Sequence, residues 1–161
     1  MPEALASGDW GLAFDHFGLA TRDAARSLAV LRGLGYACGE PVHDPLQKVH
    51  LVYCVHPRMP AVELIYAADE PGPLETILAH QPESVYHLCF RSANVAASLA
   101  AMKAAGHRTL TVVPPRPAVL FGLEPVSFHL VKGLGLIEFI ETRSPVATIA
   151  GEPNFPVPKR S

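Results

Sequence analysis

Apolar residues along the 161-residue chain fall into strand-length and helix-length runs, and the two kinds recur in the same order. Residues 13–20 (AFDHFGLA) make a short, mostly apolar stretch of strand length. Residues 22–33 then place Ala24, Leu28 and Leu31 at helical spacing and close on Gly33 and Gly35, the signature of a helix and its stop. Three further strand-like runs follow at 36–38, 47–55 and 61–67. The second half repeats the series. It has a strand at 84–91, a helix over 94–105 that opens on Asn94 and ends before Gly106, and strands at 107–113, 126–132 and 135–141.

The repetition is positional as well as general. A shift of 71 carries His16 onto His87, Leu28 onto Leu99, Leu31 onto Met102 and Gly35 onto Gly106. Each half therefore reads β-α-β-β-β, and such internal self-similarity decides architecture better than any single propensity. The expected fold is one α+β domain over residues 13–142. It consists of two tandem modules (13–67 and 84–142) whose curved sheet forms a cup, flanked by an N-terminal arm (1–12) and a Pro-rich tail (143–161). Pro114, Pro115 and Pro117 mark a loop inside the second module, since proline removes a backbone donor and fixes φ.

Composition narrows the class without naming a function. Hydrophobic residues are 49% and charged residues 17%, which excludes a disordered chain. The net charge of −2 lacks the footprint of a nucleic-acid binder. No run reaches the eighteen apolar residues of a membrane span, and residues 1–12 lack the pattern of a secretory signal. Three cysteines (Cys38, Cys54 and Cys89) form no C-x-x-C pair, so a reducing, cytoplasmic setting is expected.

Chemistry enters with eight histidines and two misplaced glutamates. His16 and His87 occupy the opening strands of the two modules, 71 residues apart; Glu63 and Glu138 occupy the closing strands, 75 apart. Val62 and Leu64 flank one carboxylate, and Ile137 and Phe139 the other. A carboxylate inside an apolar strand is costly unless its charge finds a partner. Taken singly, each histidine is explained by an ordinary hydrogen bond, and Glu63 by a solvated sheet face. Together, at matching positions, the four make an N2O2 set whose charge neutralises one divalent ion. Co, Ni, Zn, Mn, Mg and Fe all accept such donors.

The paired modules, with DHFGLAT at 15–21, VELIYA at 62–67, YHLCFR at 86–91 and GLIEFIE at 135–141, resemble the vicinal oxygen chelate superfamily. That superfamily includes glyoxalase I, methylmalonyl-CoA epimerase, extradiol dioxygenases and bleomycin-resistance proteins. The likeness covers residues 13–142 and is greatest to the epimerase and glyoxalase I group. It implies a metal held by His16, Glu63, His87 and Glu138, the set already reached from the repeat. It further implies an isomerase or lyase that removes a proton α to a carbonyl through a metal-stabilised enolate, with Glu138 as base. An acyl thioester substrate and a homodimer are implied too. A glyoxalase I-type lactoylglutathione lyase and a non-catalytic ligand-binding or resistance protein are the alternative readings. An extradiol dioxygenase would leave one glutamate unexplained.

An epimerase needs a second acid/base on the far side of the α-carbon. The relatives place an acidic residue in the strand that resembles 47–55, where this chain aligns His50. His129, 79 residues on, is read as the repeat partner of His50, so that both approach the cup from opposite sides. Arg116, in the PPRP run, and Arg91 are candidates for gripping an anionic substrate group. His43, His56, His80 and His107 sit beside turn residues and read as surface, and the cysteines as small core residues.

Overall fold

The structure, a computed structural model, describes residues 10–142, so the ends of the expected arm and the whole tail (1–9 and 143–161) lie outside the described residues. The first module runs β1 (Ala13–Thr21), α1 (Ala24–Gly33), β2 (Ala37–Cys38), β3 (Val42–Asp44), β4 (Val49–Val55) and β5 (Ala61–Ala67). A short helix, α2 (Leu74–Ile77), leads into the second. There β6 (Glu83–Ser92), α3 (Val95–Ala104), β7 (Thr109–Pro117), a 3-10 turn (Val119–Phe121), β8 (Pro125–Val131) and β9 (Gly135–Glu141) follow. Asp23 and Asn94 cap the two long helices, their side chains accepting from the amides of Arg26 and Ala97. No helix among the described residues is long and apolar enough to cross a membrane.

All the strands join one sheet in the order β2-β4-β5-β1-β6-β9-β8-β7, with β3 paired to β4. Each module contributes one parallel pair, β1 with β5 and β6 with β9. The modules meet along the antiparallel pair β1–β6, so the two opening strands, which carry His16 and His87, lie side by side at the centre. Both long helices cover the outer face. Leu31 of α1 packs with Val52, Cys54, Val62 and Leu64, and Val95 and Met102 of α3 pack with Val131, Ile137 and Phe139. The alternate residues of the same strands, among them Tyr53, Glu63, Phe128 and Glu138, face the concave side.

Two small elements close over that concave side. Leu74, Ile77 and Leu78, from α2 and its end, pack on Ala20, Leu51 and Ile65. Ala118 and Phe121, around the 3-10 turn, pack on Cys89, Val126 and Ile140. Neither element is foreseen by the hydrophobic pattern, being too short to show a period.

The proline cluster corrects the expected loop. Pro114, Pro115 and Pro117 lie within β7, an edge strand. An edge strand tolerates missing donors that a central strand would not. The register shifts between Val113 and Arg116, so Pro114 and Pro115 fall at an irregularity in the pairing.

Candidate metal centre

His16 and His87 reach the concave side from neighbouring strands, and the strand register brings one glutamate level with each. Glu63 stands level with Gly18, which faces His87; Glu138 stands level with Cys89, which faces His16. The four side chains meet. His16 Nε2 lies 3.2 Å from Glu138 Oε2 and 3.6 Å from Glu63 Oε2, and His87 Nε2 lies 3.1 Å from Glu138 Oε2. The two Nε2 atoms are 3.5 Å apart. One donor atom from each residue fits within a 4.8 Å span, and no side chain of the four is more than 5% exposed.

Gly18 makes this geometry possible. A Cβ there would lie 2.1 Å from His87 Cε1 and 2.3 Å from Nδ1, so the imidazole occupies the volume a side chain would need. On the other side Phe121 stacks on His16, with ring centroids 5.5 Å apart and planes 18° from parallel.

The electrostatics of the cluster suit a cation. Burial raises the Glu63 carboxyl, and the neighbouring Glu138 charge adds to it, pushing it up to about 8. Burial acts on Glu138 in the same direction, but the His16 and His87 imidazoles lying against its Oε2 outweigh it and hold that carboxyl low. His16 is pushed up to about 10, because Glu63, Asp15 and Glu138 overcome the burial penalty on its charged form. His87 Nδ1 and Glu138 Oε2 are buried without a hydrogen-bond partner. Two carboxylates and two imidazoles pressed together, with orphaned buried atoms, fit a divalent ion of the N/O-preferring kind.

Asp15 was not foreseen. Alternation in a strand would send it to the face opposite His16, but the register steps between Phe14 and His16 and leaves Asp15 as the extra residue of a β-bulge. Its Oδ2 accepts a hydrogen bond from His16 Nδ1 at 2.6 Å. Tyr53 donates its hydroxyl to the same oxygen at 3.0 Å, and Arg91 Nε donates to Oδ1 at 2.7 Å. A second bulge, 71 residues on, leaves Tyr86 unpaired just before His87. The Asp-His dipeptide was the available signal; the bulge that gives it meaning is not visible in a hydrophobic pattern.

The other expected site residues separate. His50 and His129 both stand on the outer face, which corrects the reading that they approach the cup. His50 is paired across from His43, with rings 5.0 Å apart, and stacks on Tyr66 at 5.1 Å. His129 is buried between Ser127 and Thr111, with bonds of 2.9 and 3.1 Å, and lies against Phe139. They are not repeat partners either. Tyr53 lies opposite Glu63 and Phe128 opposite Glu138, so the hairpins match at an offset of 75, which sets His129 against Cys54. Arg91 is engaged by Asp15 and Glu124 rather than offered to a ligand. Arg116 is exposed and stands opposite Val126, whose side chain packs inside the cup. Burial beside Glu138, Asp15 and Glu63 keeps the Cys89 thiol protonated.

Three solved structures that share this architecture are distant in sequence. Methylmalonyl-CoA epimerase from Mycobacterium tuberculosis aligns with a TM-score of 0.63 at 18% identity, over 79% of this chain and 85% of that one. The Streptomyces coelicolor epimerase in complex with 2-nitronate-propionyl-CoA aligns at 0.62 and 22%, over 79% and 94%. A hypothetical protein from Bacillus halodurans aligns at 0.67 and 18%, over 84% and 98%. No curated protein sequence matches the chain. The sequence profile of the Glyoxalase/Bleomycin resistance protein/Dioxygenase superfamily matches residues 15–121. With more than half its length so matched, and the paired modules of the fold in place, the chain belongs to the glyoxalase/bleomycin resistance/dioxygenase superfamily.

Proposed function

We propose that the chain is a metal-dependent enzyme that moves a proton α to the carbonyl of an acyl thioester, in the manner of methylmalonyl-CoA epimerase. The observation that carries this is the meeting of His16, Glu63, His87 and Glu138 from two modules within 4.8 Å. A divalent ion held there supplies Lewis-acid polarisation of a carbonyl, which acidifies the adjacent C–H. The chain supplies the rest. Glu138 accepts the α-proton. Glu63 reaches the centre from the opposite module and takes the second acid/base role, which His50 and His129, on the outer face of the sheet, are turned away from. Phe121, Phe128 and Tyr86 surround the histidines and keep water from the reacting carbon. Arg116, exposed on the edge strand β7, takes the role of binding a phosphate of the thioester carrier.

Substrate class follows the neighbours, one of which is an epimerase solved with methylmalonyl-CoA and NH4+. The test is uptake of solvent deuterium at the α-carbon of branched acyl-CoAs by the metal-reconstituted protein. Exchange that falls about a hundredfold or more in Glu138→Gln supports the assignment. Absence of exchange across the panel, with turnover of a glutathione hemithioacetal instead, replaces it with the lyase reading. A reconstituted protein that holds no divalent ion removes the enzyme reading altogether.

A further inference from the structure

The two candidate histidine ligands are related by the repeat, yet only one is braced. Asp15 stands behind His16 and takes its Nδ1 proton in a 2.6 Å bond, whereas Tyr86 stands at the matching bulge and leaves His87 Nδ1 without a partner. The brace continues outward. Arg91 holds Asp15 with Nε and Glu124 with Nη1 at 3.1 Å, and its guanidinium lies over Phe121, 5.8 Å from the ring centre. Phe121 in turn stacks on His16. Residues 118–124 form a closed loop, with Ala118 N donating to Glu124 O at 3.1 Å and Leu123 N to Ala118 O at 2.9 Å. Leu123 adopts φ 66°, a left-handed conformation that leucine takes only under constraint.

We propose that Asp15 is a positioning residue for the ligand His16, and that Arg91 ties this ligand to the loop 118–124 that covers it. The proposal rests on the metal reading given above. A carboxylate on Nδ1 fixes the tautomer, directs the Nε2 lone pair at the ion and raises its basicity. Since Arg91 touches Asp15 and Glu124 together, opening the loop to admit a substrate loosens the brace on His16, and closing it restores the brace. Ligand orientation and access to the ion are therefore one event.

The test compares wild type, Asp15→Asn, Arg91→Gln and Glu124→Gln, with Zn2+ as the probe. Competition with a chromophoric chelator gives affinity, and release into excess EDTA gives the off-rate. Asp15→Asn is expected to weaken Zn2+ by about 10- to 100-fold. In the zinc-loaded protein it is also expected to shift the downfield, slowly exchanging Nδ1 proton of His16 upfield, a signature that loss of packing alone does not produce. Glu124→Gln leaves the Asp15–Arg91 pair intact. It is expected to speed amide exchange at Leu123 and Glu124 and zinc release by about tenfold, with Arg91→Gln doing both and weakening affinity. Wild-type zinc affinity in Asp15→Asn overturns the positioning role, and unchanged loop exchange in Arg91→Gln and Glu124→Gln overturns the tie. Should Asp15→Asn fail to fold, the two outer variants still decide the coupling. A wild type that binds no Zn2+ fails the metal reading instead, and loop exchange then judges the tie by itself.

Discussion

Metal uptake at this centre is expected to expel about two protons near neutral pH. In the metal-free protein His16 sits at about 10, held up by Glu63, Asp15 and Glu138 against its burial, and Glu63 sits at about 8 through burial and the Glu138 charge. Both groups therefore carry a proton at pH 6 to 7, on the atoms a cation must use. Proton and metal compete, so affinity rises with pH while both groups remain protonated. Each bound proton contributes a tenfold gain per pH unit, about 1.4 kcal/mol, which makes roughly a hundredfold between pH 6 and 7. The slope falls towards one above the Glu63 value and flattens above the His16 value. Calorimetric titration with Zn2+ in buffers of different ionisation enthalpy counts the protons directly, and Glu63→Gln is expected to remove one of them. Affinity that stays flat from pH 6 to 9, with no proton released, would refute the reasoning.

Gly18→Ala puts a methyl where the His87 ring now lies, at 2.1 Å from Cε1, and the ring must swing away. Chelator competition should show at least tenfold weaker metal, with a stability loss of about 1–3 kcal/mol by thermal melting. His129→Ala leaves Ser127 and Thr111 without their partner on the outer face and is expected to cost about 1–3 kcal/mol in urea while leaving metal affinity unchanged. A shift in affinity would show that the outer face reaches the centre. Met102→Ala hollows the contact of α3 with the sheet, where Met102 is 1% exposed, and is expected to lose about 2–5 kcal/mol without altering the proton count on zinc binding.

The repeat carried most of what the chain reveals before folding. The offset of 71 put His16 and His87 at matching positions in the two opening strands, which the structure sets side by side, and the apolar flanks of Glu63 and Glu138 marked carboxylates with an unusual reason to be buried. His50 and His129 misled because strand polarity alone does not say which face is concave; pairing opposite Glu63 and Glu138 settles it in favour of Tyr53 and Phe128. Asp15 stayed hidden for the converse reason. Its contribution depends on one unpaired residue in β1, and a bulge is a property of two strands rather than of one. The prolines of β7 read as a loop because proline is excluded from ladders in general, and only the strand's place at the sheet edge lifts that exclusion.

The joint between β1 and β6 relates the modules by an approximate half-turn, and that operation carries Glu63 to the place of Glu138. A flat group lying on such an axis has its two faces exchanged by the same half-turn. Duplication of one module therefore sets a carboxyl group on either side of the axis in a single step. What separates the faces is the unequal pair of bulges, Asp15 on one side and Tyr86 on the other. Under the proposed function, a centre symmetric in its donors and lopsided in its support would deliver a proton from either side, at two different rates.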